Sequence, residues 1–320
     1  MSDVDRQGII DGRLVRRRPA TVVGSARHAG RRVVSRHPAV FMPIARKRHP
    51  QSALAPDTQI VIDGFTRSAG TFALIGFQVA QNAHVRAAHH LHSAAHIMAA
   101  ARTERPVLVP IRPPRDTVLS AVIREPGVGI GQWLRTYCDF YRHLCSLSED
   151  VVIATFEGVT TDLGSETRRV NERFGTSFEE FRHTPEQLET VFLLIEERAR
   201  RPAWAHLLGE FLAGRISLDE YTSLTSIPRR AAPLHAVPEE RVQRPSHARA
   251  GMKAHLLAAY GSPRLDRLRR RAEALYADAL EAATSGPQPG GADARSDGQW
   301  QAALPVSLNA NDPSTRNSQS

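Results

Sequence analysis

Three groups of side chains have types and spacings suited to chemistry. Gly64-Phe65-Thr66-Arg67-Ser68-Ala69-Gly70-Thr71 joins small residues to hydroxyls and a guanidinium. Ser68, Ala69 and Gly70 let backbone amides approach an oxyanion closely, Ser68 and Thr71 add hydroxyl donors, and Arg67 adds charge. Arg112-Pro113-Pro114-Arg115-Asp116-Thr117-Val118-Leu119-Ser120 offers a forked guanidinium and, eight residues on, a hydroxyl, a pair that suits a dianionic phosphate. Between them Ala88-His89-His90-Leu91-His92, with His96, is the densest run of titratable groups, and neutral imidazole exchanges protons near neutral pH.

Anion chemistry at the first two groups requires particular elements around them. Gln59 to Phe65 is a short apolar run closed by glycine, and Thr71 to Gln81 follows with apolar residues at helical spacing. That order of strand, loop and helix puts unpaired amides and the positive end of a helix dipole at the loop. Val107–Ile111 is a second strand, before a helix over Thr117–Arg124, and Val151–Phe156 is a third, before a helix around Glu166–Phe174. Short, nearly unbroken apolar strands alternating with helices predict an α/β fold: three layers, P-loop-like, with a central parallel sheet flanked by helices. Helices and loops are expected from His183 to Tyr260, and Leu265–Ala283 reads as a final amphipathic helix.

The loop departs from a Walker A sequence, since five residues separate Gly64 from Gly70 and Thr71 follows without lysine. Thr66-Arg67-Ser68-Ala69-Gly70-Thr71-Phe72 instead resembles the 5′-phosphosulfate loop of sulfotransferases, and Arg112 to Ser120 resembles their 3′-phosphate motif, in the same order. The likeness covers roughly residues 59–175. It implies a sulfuryl transfer from 3′-phosphoadenosine 5′-phosphosulfate, as co-substrate, to an acceptor hydroxyl or amine, without a metal. Arg67, Ser68, Ala69, Gly70 and Thr71 would hold the 5′-phosphosulfate, Arg112 and Ser120 the 3′-phosphate, and Phe72 would stack on adenine. Phe156-Glu157 is similar to the Tyr-Glu that ends a later strand in these enzymes, without the phenol oxygen. Ala69 replaces the family's glycine, Gly70 its first threonine, and Thr66 stands where proline is usual.

The resemblance also implies a histidine base, with His90-Leu91 the closest match and His92 the reserve, and a late basic loop over the 3′-phosphate, to which Arg249 corresponds by role. Arg67 would stabilise charge on the transferring group. Competing readings are a nucleotide kinase or phosphotransferase, which would require magnesium and a loop lysine, and a nucleotide-binding protein without transfer. His92 and His96, four apart on a helix, with His89 would suit zinc, although no carboxylate or cysteine stands at a recognised spacing.

Composition bounds the rest. Residues 1–55 hold twelve Lys and Arg against three Asp, which is the whole net charge of +9. They form a basic arm that includes Arg16, Arg17, Arg18, Arg31, Arg32, Arg46, Lys47 and Arg48. The arm lacks interleaved aromatic residues, so nucleic acid is not the expected partner. Ala39–Met42 is expected as a short strand there. Residues 56–284 form the α/β domain, and the Gly-, Pro-, Ser- and Asn-rich segment 285–320 is expected to be disordered. Cys138 and Cys145 are expected on one helix face, no apolar stretch spans a bilayer, and a cytoplasmic location is expected. The acceptor, a small molecule or glycan, has no signature in the sequence.

Overall fold

The computed structural model describes Gln7–Ile10, Arg13–Arg16 and residues 22–231 and 247–284. Arg17 and Arg18, the segment Arg241–Ser246 and the expected disorder of 285–320 lie outside the described residues. In chain order the elements are the antiparallel pair β1 (Gln7–Ile10) and β2 (Arg13–Arg16), then α1 (Val22–Val34), α2 (Pro38–Arg48), β3 (Ile60–Ile62), α3 (Gly70–Ala80), β4 (Ala87–His89), α4 (Ala94–Ala101), β5 (Val107–Ile111) and α5 (Pro114–Arg124). There follow α6 (Ile130–Cys145), β6 (Val152–Thr155), α7 (Phe156–Thr161), α8 (Leu163–Phe174), α9 (Pro185–Arg200), α10 (Ala205–Leu212), α11 (Leu218–Ala231), α12 (His247–Tyr260) and α13 (Asp266–Thr284).

Strands β3 to β6 form one parallel sheet in the order β4-β3-β5-β6. Their side chains alternate between two cores, as the two-residue period of a strand dictates. Val61, Val109, Ile111 and Ile153 enter one core with α4, α5, α6 and α13. Ile60, Ile62, Leu108, Val152 and Ala154 enter the other with α3, α8, α9 and α10. The sheet is therefore flanked by helices on both faces, as the unbroken apolar strands require. After β3 the chain crosses to β4 on one side, and after β5 it crosses to β6 on the other. The carboxyl ends of β3 and β5 thus border a topological switch point, where open α/β sheets form a crevice.

Gly64 belongs to this arrangement, because a Cβ there would lie 2.6 Å from the Pro110 carbonyl oxygen of β5. Only glycine lets the two strand ends approach so closely.

One expectation for the amino-terminal region is corrected. Ala39–Met42 is helical, within α2: Pro38 occupies the first helical turn, where its missing N–H costs nothing, and Met42 and Ala45 are buried. Residues 22–55 of the basic arm pack against the α/β domain. Met42 and Leu54 join the core, Phe41, Ala45 and Ala53 pack with Leu91, and His28 on α1 bonds Thr136 on α6 at 2.8 Å. Arg32 and Arg36 both pair with the largely buried Asp139, so part of the local positive charge is internally compensated. Cys138 and Cys145 do share a face of α6, their sulfurs lying against the Leu268 and Leu275 carbonyls of α13. Among the described residues no helix is long and apolar enough to cross a membrane.

Candidate anion-binding site

The loop from Asp63 to Ala69 follows β3 and opens onto the first turn of α3, whose leading amides have no acceptor within the helix. Arg67 and Ala69 take left-handed backbone angles, φ 69° and 68°, a conformation that disfavours a Cβ. Ala69 occupies the N-cap position without a capping side chain. Ser68 is buried beside the Tyr141 phenol, and its hydroxyl makes no hydrogen bond of ordinary geometry.

Ser120, on the buried face of α5, is the convergence point for cations from separate elements. Its hydroxyl accepts from Arg67 Nε at 2.8 Å and from Arg249 Nη2 of α12 at 3.2 Å. Arg112, leaving β5, donates through Nη1 to the Arg67 carbonyl at 3.2 Å, and its guanidinium lies 4.0 Å over the Phe156 ring centroid. The Tyr137 and Tyr141 phenols both donate to the Arg112 carbonyl and fix the strand end. Lys253, one turn beyond Arg249, reaches Asp116 at 3.3 Å. The structure thus brings Arg112, Ser120 and Arg249 close together, although Arg249 lies 129 positions from Ser120.

This concentration of positive charge is costly without an anion. Burial, then Arg249, Arg124 and Arg112, push Arg67 down from 12.5 to about 9. Burial, then Arg112, also lowers Lys253, although Asp116 opposes this. None of Arg67, Arg112 and Arg198 makes an ion pair among the described residues.

Arg67 points to Ser120, so it does not lie over the Thr71 end of the loop as expected. That end is served instead by Arg198 of α9, whose Nη1 donates to Thr71 Oγ1 at 3.2 Å. Burial, then Arg124 and Arg201, lower Arg198 to about 10. Sequence reading missed this residue. The available signal was its position four residues beyond Leu194 and seven beyond Val191, on the buried stripe of α9. Phe72 is also corrected. Its ring packs in the core against Phe181, His183 and Phe192, which leaves it no face for adenine. Phe156 sits at the site, beneath Arg112.

The histidines do not share a helix. His89 ends β4, His90 and His92 lie in the following turn with φ 56° and 51°, and His96 is on α4. Buried Asp63 organises that turn by accepting from the amides of Gly64, Leu91 and His92 and from His96 Nδ1 at 2.8 Å. Burial opposes ionisation of Asp63, but the His96 hydrogen bond and the neighbouring histidines outweigh it and hold its pKa below the usual value. Among the described residues no group of three or more His, Cys, Asp or Glu is arranged to hold a metal ion.

His90 and His92 differ in what their nitrogens do. His90 has both engaged, Nε2 with Thr71 Oγ1 at 3.0 Å and Nδ1 with His89 Nδ1 at 2.9 Å. His92 donates Nδ1–H to the Gly64 carbonyl at 2.9 Å, which fixes the tautomer and leaves the Nε2 lone pair uncommitted. The His92 side chain keeps 27 % of its surface exposed. Burial lowers the pKa of both rings, reinforced at His90 by Arg198 and opposed at His92 by Asp63 and the Gly64 hydrogen bond, so each is neutral at pH 7.

Comparison of the chain with protein-family models, with curated proteins and with solved structures gave no match. The functional reading therefore rests on the geometry above and on the motifs that compose it.

Proposed function

We propose that this chain is a P-loop-like sulfotransferase that moves a sulfuryl group from 3′-phosphoadenosine 5′-phosphosulfate to an acceptor hydroxyl or amine. The observation that carries the reading is the convergence of Arg67, Arg112 and Arg249 around Ser120, at the switch point and beside the loop. A doubly charged 3′-phosphate would relieve the repulsion among these cations. At the other end, the first amides of α3, Thr71 and Arg198 suit the 5′-phosphosulfate, and Arg198 supplies the cation that the loop itself withholds.

The bound nucleotide supplies the sulfuryl group, and the residues around it hold charge and handle one proton. His92 is the better-placed base: its free Nε2 takes the acceptor's proton while the Gly64 carbonyl holds Nδ1–H. His90 positions Thr71, which Arg198 grips from the other side.

Calorimetric titration with adenosine 3′,5′-bisphosphate, AMP and ATP in EDTA tests the reading. The bisphosphate should bind tightest, and Arg112→Ala should weaken it by about 10–150-fold, the equivalent of a lost charge-assisted contact of about 1.5–3 kcal/mol. Equal binding of AMP, or a preference for ATP that appears only with magnesium, would overturn the proposal and favour a phosphotransferase.

A further inference from the structure

A cleft of about 70 Å³ adjoins the loop and shares with the anion site only the stretch around Phe65, Thr66 and His92. Arg67, Arg112, Ser120 and Arg249 do not line it. Phe65, Trp133 and Phe140 give it an apolar, flat-sided wall, with Phe65 set edge-on at 6.1 Å to Trp133 and 5.5 Å to Phe140.

The opposite side is cationic. Arg31, Arg32 and Arg36 line it against two carboxylates, Asp139 and Glu125. Asp139 is already committed to Arg32, Arg36 and Arg142. Arg31 makes no ion pair among the described residues, and Arg36 keeps a buried Nε without a partner, as does the indole nitrogen of Trp133. His28, which meets Trp133 edge-on at 4.7 Å, adds no compensating negative charge. Buried donors without acceptors cost free energy that a ligand's acceptor atoms would recover.

We infer that this cleft holds the acceptor, and that the acceptor is a small hydroxy compound with a flat apolar body and a carboxylate. The inference rests on reading the adjoining site as that of the sulfuryl donor. The carboxylate meets Arg31 and the free donor of Arg36, the body lies along Trp133 and Phe65, and the hydroxyl is directed toward His92, the lining histidine that borders the loop and whose Nε2 is uncommitted. An amine-bearing acceptor would face the same arginines unfavourably.

The test uses the full chain, with and without adenosine 3′,5′-bisphosphate, titrated with 4-hydroxybenzoate, 4-methylphenol and tyramine by calorimetry. Tryptophan fluorescence against a Trp133→Phe control reports occupancy of the cleft. The carboxylated phenol should bind at least about tenfold tighter than the other two. Arg31→Ala, at an exposed position outside the core, should cut its affinity about tenfold, Arg31→Lys should cut it less, and neither should alter bisphosphate binding. Equal binding of the three phenols, no saturable binding of any, or indifference to Arg31→Ala overturns the inference. Arg31-dependent binding of 4-hydroxybenzoate by a protein that ignores the bisphosphate would uphold the carboxylate cleft and overturn the donor reading alone.

Discussion

Replacing Arg67 by methionine, which keeps most of the side chain's bulk without its charge, should move stability and binding in opposite directions. At pH 7.5 Arg67 is protonated in both the folded and the unfolded chain, so the full cost of its charge is present in the fold. A fall from 12.5 to about 9 corresponds to about 5 kcal/mol, at about 1.4 kcal/mol for each pH unit. Solvent screening of a partly exposed guanidinium reduces this to about 2–3 kcal/mol. Loss of the 2.8 Å hydrogen bond to Ser120 returns about 1 kcal/mol. Arg67→Met should therefore stabilise the ligand-free protein by about 1–2 kcal/mol, or about 2–6 °C in Tm. The same substitution removes a cation from the proposed phosphate site and should weaken adenosine 3′,5′-bisphosphate about 10–100-fold. Thermal unfolding with and without the bisphosphate reads both effects: the ligand-free transition rises and the increment due to ligand shrinks. A lower ligand-free Tm with an unchanged increment would show that Arg67 is a structural partner of Ser120, and the argument from crowded cations would fail.

Acid sensitivity should follow from the histidine turn. Burial, then Arg198, hold His89 down to about 3, so between pH 6.5 and 3 the unfolded chain binds a proton that the folded chain refuses. Stability accordingly falls as the pH drops through that window. His89→Gln should flatten the slope of urea-unfolding stability between pH 7 and 5 by as much as about 1.4 kcal/mol per pH unit, and equal slopes in the two proteins would refute it. Asp63 does not contribute in this range, because its pKa lies below 3.8 and its stabilisation is lost only in stronger acid. Ala69→Gly should relieve the left-handed strain at φ 68° by about 1–2 kcal/mol while adding unfolded-chain entropy, for a net gain of about 0.5–1 kcal/mol. Chemical denaturation measures this, and a loss of stability would mean that the loop does not hold that angle in solution.

Legibility in the sequence followed how locally each feature is encoded. β3, β5 and β6 were readable because unbroken β-branched runs must be covered on both faces, and the turn after each is marked by glycine, proline or threonine. β4 was not, since Ala87-Ala88-His89 carries no strand preference and is a strand only because it pairs with Ile60–Ile62. The four apolar residues Ala39–Met42 suit either element, and the proline before them, which opens a helix as readily as it ends a strand, decided the matter. The histidines were visible as a cluster but not by role. What separates His90 from His92 is a pair of tertiary hydrogen bonds, to Thr71 and to Gly64, that no spacing encodes.

The unusual composition of the loop and the distant origin of one of its cations have a common explanation in the backbone. With φ at 69°, Arg67 sends its side chain to Ser120 on α5, and the Thr71 end of the loop is left without a charge of its own. Arg198 approaches from α9 because Val191, Leu194 and Ile195 pack that helix into the same core as Phe72, Leu74 and Ile75 of α3. A helix contact made for burial thus delivers the cation that a loop lysine provides in a Walker A sequence. Phe72 is committed to that contact, meeting Phe192 of α9 at 6.0 Å, which is why it cannot also serve a base. In the proposed reading, charge at the two ends of the nucleotide is therefore set by two packing decisions, α9 on α3 and α12 on α5, rather than by the loop sequence.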